Sequence, residues 1–169
     1  MEKIVRNYLE IKSLDQLLVQ KKPSNNCSLE KVSSNDFQLN KFFYKQIGQN
    51  HHWNDRLVWD DKKWIDYVSN PNVFTFILKK NGDIAGFFEL IYHKSKSEIE
   101  IAYFGLLKEY MGKKLGAYML SEAIKTSFLY NIKRVWVHTC SLDHKNALKN
   151  YLSRGMKIYN IETINIKSA

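Results

Sequence analysis

From Glu98 to Phe104 the chain alternates Ile99, Ile101 and Tyr103 with Glu98, Glu100 and Ala102, the two-residue period of a strand with one buried face. Past Gly112 the period lengthens. Leu115, Met119, Ala123 and Ile124 recur at helical spacing, which predicts an amphipathic helix laid against the sheet. The turn between them, Glu109 to Gly116, delivers unpaired backbone N–H groups and a helix N-terminus to the end of a strand, an arrangement that binds anions and above all phosphates. Upstream, the pattern predicts a strand over 4–12, a short helix capped by Ser13, a loop over 21–27, a strand over 28–32, and a helix capped by Ser34 or Asn35 and reaching about Ile47. The apolar positions of that helix include Phe37, Leu39, Phe42 and Phe43. Asp60 or Asp61 caps a further helix to Val68, ended by Asn70-Pro71. Strands over 73–79 and 84–92 join at Asn81-Gly82, a strong two-residue hairpin signal, with strand 28–32 as their third antiparallel partner. A strand over 134–140, a helix over 143–155 closed by glycine, and a last strand over about 157–164 complete the chain.

The resulting order, β-α-α-β-β-β-α-β-α-β after a leader, describes a single α/β (α+β) domain with a mixed, mostly antiparallel sheet flanked by helices. Residues 1–27 read as a leader strand and helix packed on a domain over 28–169. With 169 residues, one domain with a real core fits and a second does not.

Composition narrows the function little. Hydrophobic residues at 44% and charged residues at 25% are ordinary for a globular protein, and no apolar run is long enough to span a bilayer. The first twenty residues are broken by charges and show no secretory h-region, and two cysteines are too few for a disulfide scaffold, so a cytoplasmic location is expected. A net charge of +9 favours polyanionic partners, but the lysines are spread along the chain and form no stripe, so neither nucleic acid nor a membrane is expected as partner. Self-association as a homodimer is left open.

The glycine turn is neither a dinucleotide fingerprint nor a P-loop, since the third glycine and the Gly-Lys-Ser/Thr sequence are missing. Met111-Gly-Lys-Lys-Leu-Gly116, with Glu109-Tyr110 before it, resembles the Gln/Arg-x-x-Gly-x-Gly/Ala turn of the GNAT superfamily of acetyl-CoA-dependent N-acetyltransferases. Met111 replaces the usual Gln or Arg, and Lys114 the usual Gly. That family's second signature, Asn-x-x-Ala-x-x-x-Tyr-x-x-x-Gly-Phe, falls on His144, Ala147, Tyr151, Gly155 and Met156, of which alanine, tyrosine and glycine match. The resemblance covers about residues 28–162.

It implies an acyltransferase that moves an acetyl group from acetyl-CoA to a primary amine of a small molecule or peptide. By resemblance, the backbone of Met111, Gly112, Lys113, Lys114, Leu115 and Gly116 holds the pyrophosphate, Gly105 and Leu106 pair with the pantetheine arm, and His144 and Asn146 add cofactor contacts. Tyr151 matches the tyrosine that protonates the departing thiolate, and the aromatic loop over 48–59 matches the acceptor cover, making His52, Trp53, Arg56 and Trp59 acceptor contacts. Among strand carboxylates Glu100 is the expected general base, with Glu98 and Glu89 as rivals. His138, Cys140, Asp143 and His144 form a competing constellation for zinc or a Cys–His nucleophile, disfavoured because no second Cys/His pair completes a tetrahedral site. Two other readings stay open. One is a GNAT-like acyl-CoA-binding domain that has lost catalysis; the other is a basic nucleic-acid-binding protein with aromatic stacking platforms.

Overall fold

The computed structural model describes residues 2–33 and 36–166. One seven-stranded sheet organises them. Its strands are β1 (Glu2–Ile11), β2 (Cys27–Lys31), β3 (Val73–Lys80), β4 (Asp83–His93), β5 (Glu98–Leu106), β6 (Arg134–Cys140) and β7 (Lys157–Ile166), in the spatial order β2-β3-β4-β5-β6-β1-β7. Every neighbouring pair is antiparallel except β5 and β6. The hairpin expected at Asn81-Gly82 is present, and both residues take the positive φ that a tight primed turn demands.

Four helices cover the sheet: α1 (Phe37–Gly48), α2 (Asp61–Val68), α3 (Leu115–Ser127) and α4 (Ala147–Ser153). On one face α3 and α4 pack over Leu90, Ile99, Ile101, Val135 and Val137 in the main core. On the other, α1 sets Phe43 and Ile47 against Ile77 and Phe87, with Phe43 and Phe87 stacked at 4.9 Å. Asn40, Phe43, Tyr44 and Ile47 form the buried stripe of α1, while the apolar Phe42 lies off it and is 39% exposed, because the 3.6-residue turn admits only one such stripe. The expected caps Ser34 and Asn35 lie outside the described residues. Asp60 caps α2 as expected, accepting the Lys63 N–H at 2.8 Å.

The leader behaves differently from its sequence pattern. Its strand is inserted between β6 and β7, antiparallel to both. The helix expected after Ser13 is a single 3-10 turn, Leu14–Gln16, and Ser13 makes no side-chain cap; the Gln16 Oε1 instead accepts the Lys12 N–H at 3.0 Å. The leader then crosses the end of α4, where the Leu18 N–H donates to the Arg154 carbonyl at 3.0 Å. Gly155 makes that crossing fit. Its φ is +99°, and a Cβ there would collide with the Gln16 carbonyl oxygen. The helices expected from Gly112 and from Asp143 begin later, at Leu115 and Ala147.

Two irregularities in β5 prepare the site. Glu89 faces Tyr103 but Leu90 faces Ile101, so Ala102 is an extra residue in the ladder. Before this bulge the odd-numbered side chains point into the α3 core; after it Phe104 does, and Tyr103 turns to the α1 face. Strict alternation predicts Tyr103 beside Ile99 and Ile101, and the single inserted residue reverses it. Secondly, β5 and β6 pair only from Glu98/Arg134 to Glu100/Trp136. Beyond that point they part, leaving a wedge between strands that continue to Leu106 and Cys140.

Candidate functional site

Backbone geometry at the open end of the wedge sets the first half of the site. After β5 a 3-10 turn, Lys108–Tyr110, leads to Gly112 at φ +77° and Lys114 at φ +61°, and α3 starts immediately. Tyr118 is the first α3 residue whose N–H reaches back, to the Lys114 carbonyl at 3.2 Å. Among the described residues, the N–H groups from Gly112 to Ala117 meet no backbone acceptor, so they form an N-terminal cradle for an anion. Packing does not account for the two glycines. A Cβ at Gly112 would meet nothing within 4 Å, and one at Gly116 nothing closer than Leu106 at 3.6 Å. Both leave room beside the N–H groups, as close approach by a phosphate requires. Lys113 and Lys114 add positive charge to the turn, and Lys108 lines the adjoining cleft.

Lys114 occupies the left-handed conformation that costs a side-chain-bearing residue roughly 1–2 kcal/mol. Glycine would remove that cost but add backbone entropy to the unfolded chain. Lys114→Gly is therefore expected to raise stability by about 0.5–1 kcal/mol in denaturant titration, with an unchanged denaturant slope.

A cleft of about 280 Å³ adjoins the turn, lined by Gln46, Ile47, Asn50, His51, Leu106, Lys108, Met111 and His144. Leu106 and Met111, both expected from the sequence as cofactor contacts, line this cleft. Gly105 lies beneath α1, and a Cβ would stand 2.9 Å from Ile47. His144 accepts the Asn146 N–H on Nδ1 at 3.1 Å. This holds the start of α4 in the manner of a cap. Asn146 contributes its backbone to that bond, and its own side chain is exposed. Asn150, which the sequence did not single out, ties the two halves together by donating to the Gly116 carbonyl at 3.1 Å. His51 packs edge-on against His144 at 5.9 Å, and burial lowers its pKa, so it is neutral at pH 7.

Tyr151 projects from α4 into the α3-side core, 6% exposed, with its ring 6.3 Å from Phe104 of β5. Burial and the negative charge of Asp143 push its pKa upward, so the phenol keeps its proton throughout the ordinary pH range.

The α1 face carries the second half. Trp53 sits on Gly48, edge-on to Tyr103 at 4.7 Å, and its Nε1 points to Asp143 Oδ1 at 3.5 Å, so the loop after α1 reaches the turn after β6. Asp143 in turn accepts from Thr139 Oγ1 at 2.6 Å and from the Cys140 N–H at 3.0 Å. Asp55, exposed, accepts the Tyr44 hydroxyl at 2.8 Å and the Tyr103 hydroxyl at 2.8 Å. His52 is an exposed turn residue with positive φ.

Arg56 and Trp59, both expected to contact acceptor, are placed elsewhere. Arg56 is 5% exposed and pairs with the fully buried Glu89 at 2.9 Å, inside a cage of the Tyr44, Trp59, Trp64, Tyr67 and Tyr103 rings. A guanidinium held by a carboxylate and five rings has no free face for a substrate. Trp59 is one wall of that cage, 5.0 Å from Trp64.

The same placement sorts the three candidate bases. Glu89 is saturated by Arg56, by the Tyr67 hydroxyl at 2.7 Å and by Asn40 at 2.8 Å. Glu98 is nearly buried and bonded to Arg134 Nε at 2.9 Å. Glu100 stands at the vertex of the wedge on the α1 face, bonded to His93 Nε2 at 3.0 Å. His138 also lies on this face, 6.4 Å from Trp136, with its pKa lowered by burial and Arg6. Among the described residues no group of three or more His, Cys, Asp or Glu side chains is placed to hold a metal ion. None of the described helices is long and apolar enough to cross a membrane.

A family model described as "Acetyltransferase (GNAT) family" matches residues 36–156. No curated protein matches the chain in sequence. Similar solved structures include a functionally unknown conserved protein from Staphylococcus epidermidis, 18% identical, with TM-score 0.64 over 96% of this chain. The match spans 60% of that protein's length. An aminoglycoside acetyltransferase from an uncultured soil metagenomic sample, in complex with trehalose, is 13% identical with TM-score 0.68, covering 88% of this chain and 99% of its own. Arabidopsis thaliana Naa50, in complex with the bisubstrate analogue CoA-Ac-MVNAL, is 20% identical with TM-score 0.60, covering 80% and 85%. At these identities the likeness is one of fold.

Proposed function

Because the chain belongs to the GNAT family of acetyltransferases, we propose that it transfers an acetyl group from acetyl-CoA to a primary amine of a small molecule or peptide. One observation carries this reading: the run of backbone N–H groups from Gly112 to Ala117 opens onto the wedge where β5 and β6 part. An anion-binding cradle beside two unpaired strand edges suits an elongated ligand with a phosphate end and an amide-bearing arm. An aminoglycoside acetyltransferase and a protein held with a CoA bisubstrate analogue among the structural neighbours support an amine acceptor.

Bound there, acetyl-CoA supplies an activated thioester, so that the acceptor nitrogen gains a C–N bond to the acetyl carbon as the C–S bond breaks. The chain's residues handle position and protons. The turn N–H groups and Lys113 hold the pyrophosphate; Leu106 and Met111 flank the arm. Glu100, directly or through water, takes the proton that the acceptor ammonium must lose, and His93 orients its carboxylate. From the opposite face the Tyr151 hydroxyl, kept protonated by burial and Asp143, donates its proton to the departing sulfur and recovers it from solvent.

Acetyl-CoA is expected to raise the melting temperature progressively with the logarithm of its concentration above Kd, as binding to the native state alone gives. Gly112→Val is expected to abolish this shift, since a β-branched residue at φ +77° closes the turn. A folded wild-type protein that shows no shift at millimolar acetyl-CoA overturns the reading.

A further inference from the structure

The two faces of the wedge differ in charge. On the α3 side the turn contributes Lys108, Lys113 and Lys114. On the α1 side, in a chain of net charge +9, Asp55 and Glu100 make no ion pair with a lysine or arginine among the described residues. Asp55 is exposed. Both tyrosines that donate to it are held protonated by burial, the pKa of Tyr44 being raised to about 12 and that of Tyr103 higher still. They fix the carboxylate in place without cancelling its charge, and the Trp53 ring stands edge-on to Tyr103 beside it.

The bulge at Ala102 puts Tyr103, and so Asp55, on the face that carries Glu100. Tyr103 lies three positions beyond Glu100, roughly 10 Å along β5, and its hydroxyl holds the Asp55 carboxylate at the far end of its ring. A carboxylate framed by aromatic rings is a receptor for an ammonium group. We infer that Asp55 is a specificity-determining residue for a dicationic acceptor: one amine is acetylated beside Glu100 while a second ammonium, at the other end of an extended aliphatic chain, pairs with Asp55 against Trp53 and Tyr103. This rests on the acyl-transfer reading above and narrows its acceptor class to diamines, polyamines and peptides bearing a second cation.

The test compares hexamethylenediamine, hexylamine and aminohexanoate as acceptors in acetyl-CoA-dependent thiol release by the full chain. The diamine is expected to exceed the monoamine in kcat/KM by roughly ten- to hundred-fold, the scale of a charge-assisted contact, and the amino acid to rank last because its far end is repelled. Asp55→Asn keeps a side-chain oxygen for the tyrosine hydroxyls and removes the charge, so the diamine-to-monoamine ratio should fall to near one, mainly through KM. Equal use of diamine and monoamine by the wild type, or a preference that survives in Asp55→Asn, overturns this inference and leaves the acyl-transfer reading intact. Acetyl-CoA binding with no thiol release on any of the three amines also overturns it. Failure to bind acetyl-CoA overturns the underlying reading instead.

Discussion

Tyr151→Phe is expected to lower turnover roughly ten- to ten-thousand-fold while leaving the acetyl-CoA melting shift and the protein's stability nearly unchanged. The substitution removes one oxygen. The ring that packs against Phe104 in the α3-side core stays. No hydrogen bond contributes to the phenol's raised pKa, which follows from burial and Asp143 alone, so its loss leaves no protein partner unsatisfied. Its contribution is confined to the step in which the sulfur leaves, and kcat should bear the whole loss. Since the phenol stays protonated through the ordinary pH range, no alkaline fall in kcat between about pH 7 and 9 should be traceable to its ionisation. Steady-state rates with a confirmed acceptor, measured on both proteins, decide the matter. Near-wild-type turnover removes Tyr151 from the mechanism, and unfolding assigns its hydroxyl to structure.

Glu89→Gln is expected to cost about 3–5 kcal/mol, seen as a fall in melting temperature of roughly 6–20 °C. The carboxylate is fully buried, and the Arg56 guanidinium beside it is driven towards an even more persistent positive charge by that neighbour. A neutral amide would leave that cation uncompensated and turn one of its own donors towards Arg56 or Asn40. The contrast is a double replacement, Glu89→Leu with Arg56→Met. It removes both charges and should be less damaging than Glu89→Gln, as paired removal of buried ions generally is. Because Arg56 follows Asp55 in the chain and its guanidinium lies over the Tyr103 ring that holds Asp55, the single variant should also raise the acceptor KM more than it weakens acetyl-CoA binding. Denaturant melts of the three proteins check the ranking. Equal stability of wild type and Glu89→Gln would show that the pair does not hold the loop.

The parts of the fold readable from sequence are those whose signals are local. Asn81-Gly82 can adopt its two positive φ angles without long-range help, and the change of period across Gly112 marks a strand, a turn and a helix in adjacent residues. The glycine turn was accordingly legible down to Lys114, which the structure expresses as a left-handed residue. The α1 face of the wedge was not. Ala102 is one inserted residue with no compositional mark, yet it decides which face Tyr103 occupies. Arg56 and Glu89 lie 33 positions apart, and an arginine in an aromatic loop reads as a ligand contact until its partner is known. Asp55 gives no signal by itself, since its setting is made by tyrosines from α1 and β5. The slot of β1 between β6 and β7 is likewise a non-local choice that strand periodicity cannot specify. Asn150 and His93 act through single contacts across elements and escaped notice for the same reason.

Incubation of the protein with acetyl-CoA isotopically labelled in the acetyl group and a primary amine, followed by mass spectrometry of the amine and quantitation of free thiol, tests the account most directly. The expected result is labelled N-acetyl product formed one-for-one with free CoA, lost in Gly112→Val and strongly slowed in Tyr151→Phe. Saturable acetyl-CoA binding without labelled product on any monoamine, diamine, polyamine or peptide would contradict it and leave an acyl-CoA-binding domain in its place.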